Sequence, residues 1–330
     1  MKIELSYELA KAVFFDSALI QSTQVLRRVK ILNSERYYYC EAEDGSRTFF
    51  TSVTTASRLA IPTSPHLIEW MISMGSKENA EKFAAKSAAY GTCMHRVCLE
   101  MYLLGEELKM EEVIEFTRSS AYIFGLKQDE TEKWVREIKR DLLAFMQWVE
   151  DFKVRPIAVE FPIANSEMGL GGTIDLPCYI TIKEKGFYGE VYKSGDRKGE
   201  KKETTQEREV IAITDLKSGR KGFYEEHEFQ LEAYRRMWNA VYPQYPIEKI
   251  YDWSPKEWKT TPSYNFTDQT GGLYSEDEAF NAVLSIARRK AKKVQNHREL
   301  VISETLNRST PVAEQFSFIS LEESLNNEHI

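Results

Sequence analysis

The rhythm of apolar and polar positions predicts most of the elements of this chain. Residues 128–152 set Trp134, Ile138, Leu142, Phe145 and Val149 at three- and four-residue steps among charged side chains, the mark of a helix with one buried stripe. Residues 225–242 repeat that spacing with Gln230, Tyr234, Trp238 and Val241, so the Gln230 amide falls on the apolar face. A narrower stripe of Ala84, Ala88, Gly91, His95, Cys98 and Tyr102 predicts a helix over residues 81–104 whose small residues allow close packing. Residues 64–104 read as largely helical, those up to about 55 as helix and hairpin, and a last helix is expected over 276–294 before a polar tail. Alternating or continuous apolar runs place strands near 157–163, 173–182, 189–192, 210–216 and 249–253. Interleaved in this way, the elements predict an α/β fold. No internal repeat is present.

The run over residues 210–217 ends by setting Asp215 and Lys217 two positions apart. On a strand both project from one face while Leu216 turns away. A carboxylate there can hold Mg²⁺, and an adjacent lysine can orient the attacking water; an ion pair at the edge of the core is the other reading. Upstream, Gly171 and Gly172 precede Thr173-Ile174-Asp175, which puts a second carboxylate on an inward strand position. Two acids brought together repel unless a cation neutralises them, although each alone is equally a solvated turn residue. His95 on its helix face is either a metal ligand or a core imidazole with satisfied hydrogen bonds. Gln230 either finds a partner near the Asp215 strand or reaches solvent at the margin of its stripe.

In order, Gly91-Thr92-x-x-His95, Glu160, Gly172-x-x-Asp175, Asp215-x-Lys217 and Gln230-x-x-x-Tyr234 resemble the PD-(D/E)XK nuclease superfamily. Within it the pattern is most similar to the branch of RecB-type nuclease domains, phage exonucleases and the mitochondrial genome maintenance exonuclease. Arg36-Tyr37, the Glu43-Asp44-Gly45-Ser46 turn, Thr51-Ser52-Val53-Thr54-Thr55, Pro62 and Leu67-Ile68-Glu69-Trp70 echo the segment before the histidine helix in that branch. The resemblance spans residues 36–253. It implies a restriction-endonuclease-like core with one mixed central sheet flanked by helices, and a Mg²⁺- or Mn²⁺-dependent DNA exonuclease acting at a free end, in phage or bacterial recombination, repair or genome processing. A recombination or replication protein is then an expected partner. The resemblance further implies that His95, Asp175, Asp215 and the Leu216 backbone carbonyl ligate the metal, and that Lys217 is the catalytic lysine. Gln230 and Tyr234 would form the supporting motif, with Glu160 in a supporting or second-metal role. A structure-specific or nicking endonuclease, or a non-catalytic nucleic-acid-binding subunit of the same fold, are the rival readings. One departure is clear: forty positions separate Asp175 from Asp215, where the family has a short hairpin. The charged residues 183–208 between them are read as an insertion.

Composition bounds these expectations. With 330 residues and 42% hydrophobic content the chain can bury a full core. Because the motifs stretch from His95 to Tyr234, one elaborated domain over residues 1–330 is expected: 1–80 as N-terminal elaboration, 81–255 as core, 256–330 as helix and tail. No apolar run approaches the roughly 20 residues of a membrane span, and Met1-Lys2-Ile3-Glu4-Leu5 is not a secretion signal. A soluble, cytoplasmic protein with no membrane contact is the expectation. A net charge of −7 leaves phosphate contacts to local clusters. Arg58, Arg220 and Lys221 are the candidate phosphate contacts, with Tyr224 or Phe223 to stack on an end base and Arg288 to Lys293 as a second basic run. Cys40, Cys93, Cys98 and Cys178 form no C-x-x-C pair, and none follows Cys178. Packing roles are therefore expected of them, without disulfides or the iron–sulfur cluster some relatives carry. No G-x-x-x-x-G-K-[ST] loop is present, so ATP is not an expected cofactor.

Overall fold

The computed structural model describes residues 26–30, 36–41, 47–103, 108–187, 189–220, 223–292 and 314–316. The protein is α/β, and its strands form two mixed sheets where one was expected. The first begins as an antiparallel ladder of β1 (Leu26–Lys30), β2 (Arg36–Glu41) and β3 (Arg47–Ser52), with β11 (Glu314–Phe316) on its outer edge. β6 (Leu170–Ile174) joins β3 in parallel, and β5 (Phe161–Asn165) closes the sheet. The second sheet runs β10 (Tyr264–Asp268), β9 (Lys249–Pro255), β8 (Thr204–Leu216), β7 (Leu176–Gly186) and β4 (Arg155–Pro156). Only its β8–β9 pair is parallel.

Alternation along β8 assigns its two faces. Val210, Ala212 and Leu216 pack into a core with α5 (Gln128–Asp151), α4 (Met110–Phe124) and the π-helical segment Arg96–Leu103. Ile213 faces the opposite core with α1 (Val53–Ala60), α6 (Glu225–Val241) and α7 (Asp277–Lys292). Asp215 and Lys217 share the parity of Ile213 and so project toward α6. Three serines start successive helices: the Ser52, Ser64 and Ser76 hydroxyls accept backbone N–H bonds from Thr55, Leu67 and Asn79 at the starts of α1, α2 (Pro65–Ser73) and α3 (Lys77–His95). Each such cap contributes about 1 kcal/mol.

Several expectations need correcting. Ala84 and Ala88 are exposed, and apart from Ala80 near its start the histidine helix is buried only at its C-terminal end, through Cys93 and Met94 and on into Val97, Cys98 and Leu99. Alanines give little area to bury, so the stripe lost its hold where no large side chain reinforced it. That helix also changes pitch after His95, passing into the π-helical segment. The strand expected at 189–192 is a single bridge, Val191 to Lys201. The two ends of the expected insertion, residues 183–186 and 204–208, are ladder: β7 and β8 pair from Leu176↔Thr214 out to Gly186↔Thr204, and residues 187–203 lie between the strand ends. Asp175 and Asp215 are thus joined by one long hairpin. The expected strand 173–182 breaks at Asp175, where the chain leaves one sheet for the other. α4 and β10 were not anticipated. Among the described residues no helix is long and apolar enough to cross a membrane.

Candidate active site

An antiparallel ribbon crosses from one sheet to the other, and both of its strands carry an acid at the crossing. β4 pairs with β7 in the second sheet, whereas β5 pairs with β6 in the first. Glu160 and Asp175 occupy the two breaks, linked by a 2.9 Å hydrogen bond from the Glu160 N–H to the Asp175 carbonyl. Glu160 takes a positive φ of 49°, a left-handed conformation that costs a non-glycine residue about 1–3 kcal/mol. Strain of this kind persists where surrounding structure fixes it, and here it turns the carboxylate toward His95.

His95, at the end of α3, reaches into this bend. Its Nδ1 lies 3.3 Å from Glu160 Oε1 and 3.8 Å from Asp175 Oδ2, and its Nε2 lies 2.8 Å from the Leu216 carbonyl oxygen. Nε2–H donates to that carbonyl. Burial works to lower the imidazole pKa, but Asp175 and Glu160 outweigh it and raise it to about 10, so His95 is an imidazolium whose charge is held by the acids. Burial, with Asp215 alongside, pushes the Asp175 carboxyl up. Asp175 Oδ2 also accepts the Leu216 N–H at 2.8 Å, which pins the bend to the end of β8. One ligand atom each from His95, Glu160 and Asp175 lie within 4.8 Å of one another. This donor set differs from the expected one: Glu160 stands in the tightest cluster and Asp215 stands beside it. The two carboxylates suit Mg²⁺ or Mn²⁺ by donor type, and the imidazole favours Mn²⁺, the transition metal of the two.

Asp215 and Lys217 do share a face, and Gln230 of α6 bridges them. Lys217 Nζ lies 2.5 Å from Asp215 Oδ2. The Gln230 amide donates from Nε2 to Asp215 Oδ1 at 2.9 Å and accepts from Lys217 Nζ on Oε1 at 3.5 Å. This partially buried amide is therefore satisfied on both sides. Burial opposes the Lys217 charge, yet Asp215 and Asp175 raise its pKa, so it is an ammonium that can orient a water and not a free base. The Tyr234 ring, one turn on from Gln230, packs over the Gly172 backbone; a Cβ at Gly172 would stand 2.4 Å from Tyr234 Cε1. Close approach of ring to strand thus requires glycine there.

No protein-family model matches the chain, and no curated protein matches it.

The expected nucleic-acid contacts fare differently. Lys221 lies outside the described residues, and so does Lys293. Arg58 is exposed at the end of α1, and Tyr224 is half exposed, packing on His227 at the start of α6. Arg220 has a structural partner that sequence did not reveal: its Nη2 donates to Asp141 Oδ1 at 2.7 Å, and Tyr90 donates to Asp141 Oδ2 at 2.6 Å. Asp141 is fully buried on α5. Arg288 and Lys290 donate to backbone carbonyls of Met168, Glu167 and Leu59, tying α7 to the β5–β6 turn and α1.

Two further groups border the site without having been anticipated. Asp252, on β9, is paired in register with Asp215, faces the same way, and is 0% exposed. Burial and then Asp215 push its carboxyl up to about 7. The signal was present as a lone acid in the apolar run Ile250-Tyr251-Asp252-Trp253, at the same parity as Ile250. His227 accepts the Tyr224 N–H on Nδ1 at 3.3 Å. Burial and the neighbouring Lys217 charge lower its pKa to about 3, leaving a neutral imidazole beside the lysine.

Proposed function

We propose that the protein is a metal-dependent DNA exonuclease whose two-sheet ribbon and helix α6 form a restriction-endonuclease-like core. The observation that carries this reading is the meeting of Asp175, Asp215, Lys217 and Gln230 with His95 and the Leu216 carbonyl around one bend. Parts separated by up to 135 positions, from His95 to Gln230, supply the charges that phosphodiester hydrolysis uses. An ion-pair network serving stability alone gains nothing from concentrating three acids where each raises the energy of the next.

His95, Glu160, Asp175 and Asp215 would hold the cation, and bound Mg²⁺ or Mn²⁺ would supply Lewis acidity toward the phosphate and the attacking water. Lys217 directs that water and offsets charge developing on the phosphoryl oxygens. Gln230 fixes the rotamers of Asp215 and Lys217 through its two amide atoms, and Tyr234 fixes α6 against the β6 backbone. Glu160 and Asp175 hold His95 through Nδ1, which sets the ring's orientation toward the Leu216 carbonyl. The bacterial or phage setting and the preference for free ends belong to the same proposal, on the order and spacing of the motifs.

The test uses end-labelled linear and closed circular DNA, single- and double-stranded, with Mg²⁺, Mn²⁺ or EDTA. Degradation of linear but not circular substrate, abolished by EDTA, is the expected result. Cutting of closed circles would make the protein an endonuclease, and no cleavage under any of these conditions by folded protein would leave a binding subunit.

A further inference from the structure

We propose that Asp252 is a second seat for the Lys217 ammonium, to which the lysine moves when a cation occupies Asp215. The proposal rests on the metal-binding reading above and adds a residue that the reading does not use. Asp215 is engaged at both oxygens: Oδ1 takes the Gln230 N–H at 2.9 Å, and Oδ2, which has no hydrogen-bond partner among the described residues, is held by the Lys217 ammonium at 2.5 Å as an ion pair. A carboxylate oxygen has lone pairs enough for an amide and a metal together. A dication and an ammonium at one oxygen repel each other, so cation binding displaces Lys217 from Oδ2. The displaced charge is only 21% exposed, so an acceptor within the protein spares part of its desolvation cost.

Asp252 supplies one. Its register partner across the parallel β8–β9 pair is Asp215, and both project toward α6. Its Oδ2 is fixed by the Gln269 amide at 2.8 Å, while Oδ1 is buried with no hydrogen-bond partner among the described residues. An orphaned carboxylate oxygen is costly unless some state of the protein fills it. The next residue of the same parity on β9, Ser254, already bonds Asn265 Nδ2 at 3.2 Å, which leaves the Asp252 oxygen as the open acceptor. The Lys217 N–H donates to the Trp253 carbonyl at 2.8 Å, so the lysine backbone stays in place while the four-carbon side chain swings. Asp252 is thus a positioning residue that acts through Lys217.

The experiment is a double-mutant cycle on the full chain, read by calorimetric Mn²⁺ titration of the wild type, Asp252→Asn, Lys217→Met and the double variant, with urea unfolding of each. Asparagine keeps the bond to Gln269 but removes the charge. Asp252→Asn is expected to weaken Mn²⁺ binding about tenfold, the worth of one charge-assisted hydrogen bond, and to have about a twofold effect or less once Lys217 is methionine. An equal loss in both backgrounds would make Asp252 a mere negative charge near the cation and overturn the proposal, as would no loss in either. In the wild type itself, the Lys217 side-chain ¹⁵N resonance, assigned by its absence in Lys217→Met, is expected to shift on Mg²⁺ addition while its protons stay slow to exchange. A resonance that stays put while Mg²⁺ binds refutes the movement even if the variants fail to fold. Wild-type protein that binds neither cation sinks the metal reading, whereas binding without coupling sinks the lysine seat alone.

Discussion

Replacing Arg220 by methionine separates two jobs that this residue was open to. In the structure its guanidinium neutralises Asp141, whose two oxygens also take the Tyr90 hydroxyl, and its own side chain is 23% exposed. Even with that partner, burial holds the Asp141 carboxyl up at about 6 against an ordinary 3.8, so ionising it in the folded protein costs about 3 kcal/mol relative to the unfolded chain. Because the folded value is raised, the stability linked to this group is full below pH 3.8 and is lost as pH rises through 6. Methionine keeps the apolar stem but removes the charge, which raises the carboxyl further and carries the loss to higher pH. At pH 8 the uncompensated carboxylate should cost about 3–5 kcal/mol. At pH 5, where Asp141 is mostly protonated in both proteins, the cost should shrink to the roughly 1 kcal/mol of a lost hydrogen bond. Urea unfolding at the two pH values measures both numbers. Asp141→Asn in the same chain should restore most of the stability at pH 8, since no buried charge then remains. The second partner of Arg220, Glu257, is 70% exposed and changes little. If Arg220→Met unfolds at the wild-type urea midpoint at pH 8, the strut is not one, and the guanidinium is free for phosphate.

Gly172→Ala should destabilise the fold by about 1–3 kcal/mol or more, because its Cβ meets the buried Tyr234 ring at 2.4 Å; a second change of Tyr234→Ala that failed to relieve any of this loss would show the clash is not the cause. Asp215→Ala should lower cleavage at least about a hundredfold, or about 3 kcal/mol of barrier, with an unchanged or raised unfolding midpoint, since it also removes a repulsion on Asp175; near-normal cleavage would remove Asp215 from the site. Cation binding should strengthen as pH rises from 6 to 9 and release at least one proton, because burial is outweighed by Asp175 and Glu160 in holding His95 protonated up to about 10, a ligand nitrogen must lose that proton, and burial with Asp215 alongside also raises the Asp175 carboxyl; calorimetry in two buffers of different ionisation enthalpy reads the release, and a pH-independent affinity would remove His95 as a ligand.

The long helices were legible because their buried stripes are large: Trp134, Ile138, Leu142 and Phe145 on α5 and Tyr234 and Trp238 on α6 all lie in the core. The alanine-rich start of α3 was misread as packed for the opposite reason. Asp215 and Lys217 were foreseen on a common face by strand parity alone, whereas the helix stripe put Gln230 on the apolar face of α6 and left its partner open. The bend at Glu160 and Asp175 was hidden. Residues 173–182 alternate as one strand would, and the sheet crossing arises only because β5 and β4 find different partners. Arg220 shows the same limit from the other side: a basic residue after a catalytic strand reads as a phosphate contact until a buried acid from a helix 79 positions away claims it.

The charge balance of this site has a logic of its own. Three acids, Glu160, Asp175 and Asp215, crowd one bend, and the protein meets their charge with the His95 imidazolium and the Lys217 ammonium. Both cations are movable: one can lose its proton, and the other sits on a flexible stem. A site built only for stability would use arginine, whose planar fork holds two oxygens and does not deprotonate. That is the arrangement found at Asp141 and Arg220, away from the bend. Labile cations at the bend and a fixed one at the strut are what a pocket needs if its acids are to be surrendered to an incoming cation while the loop after Lys217 stays in place.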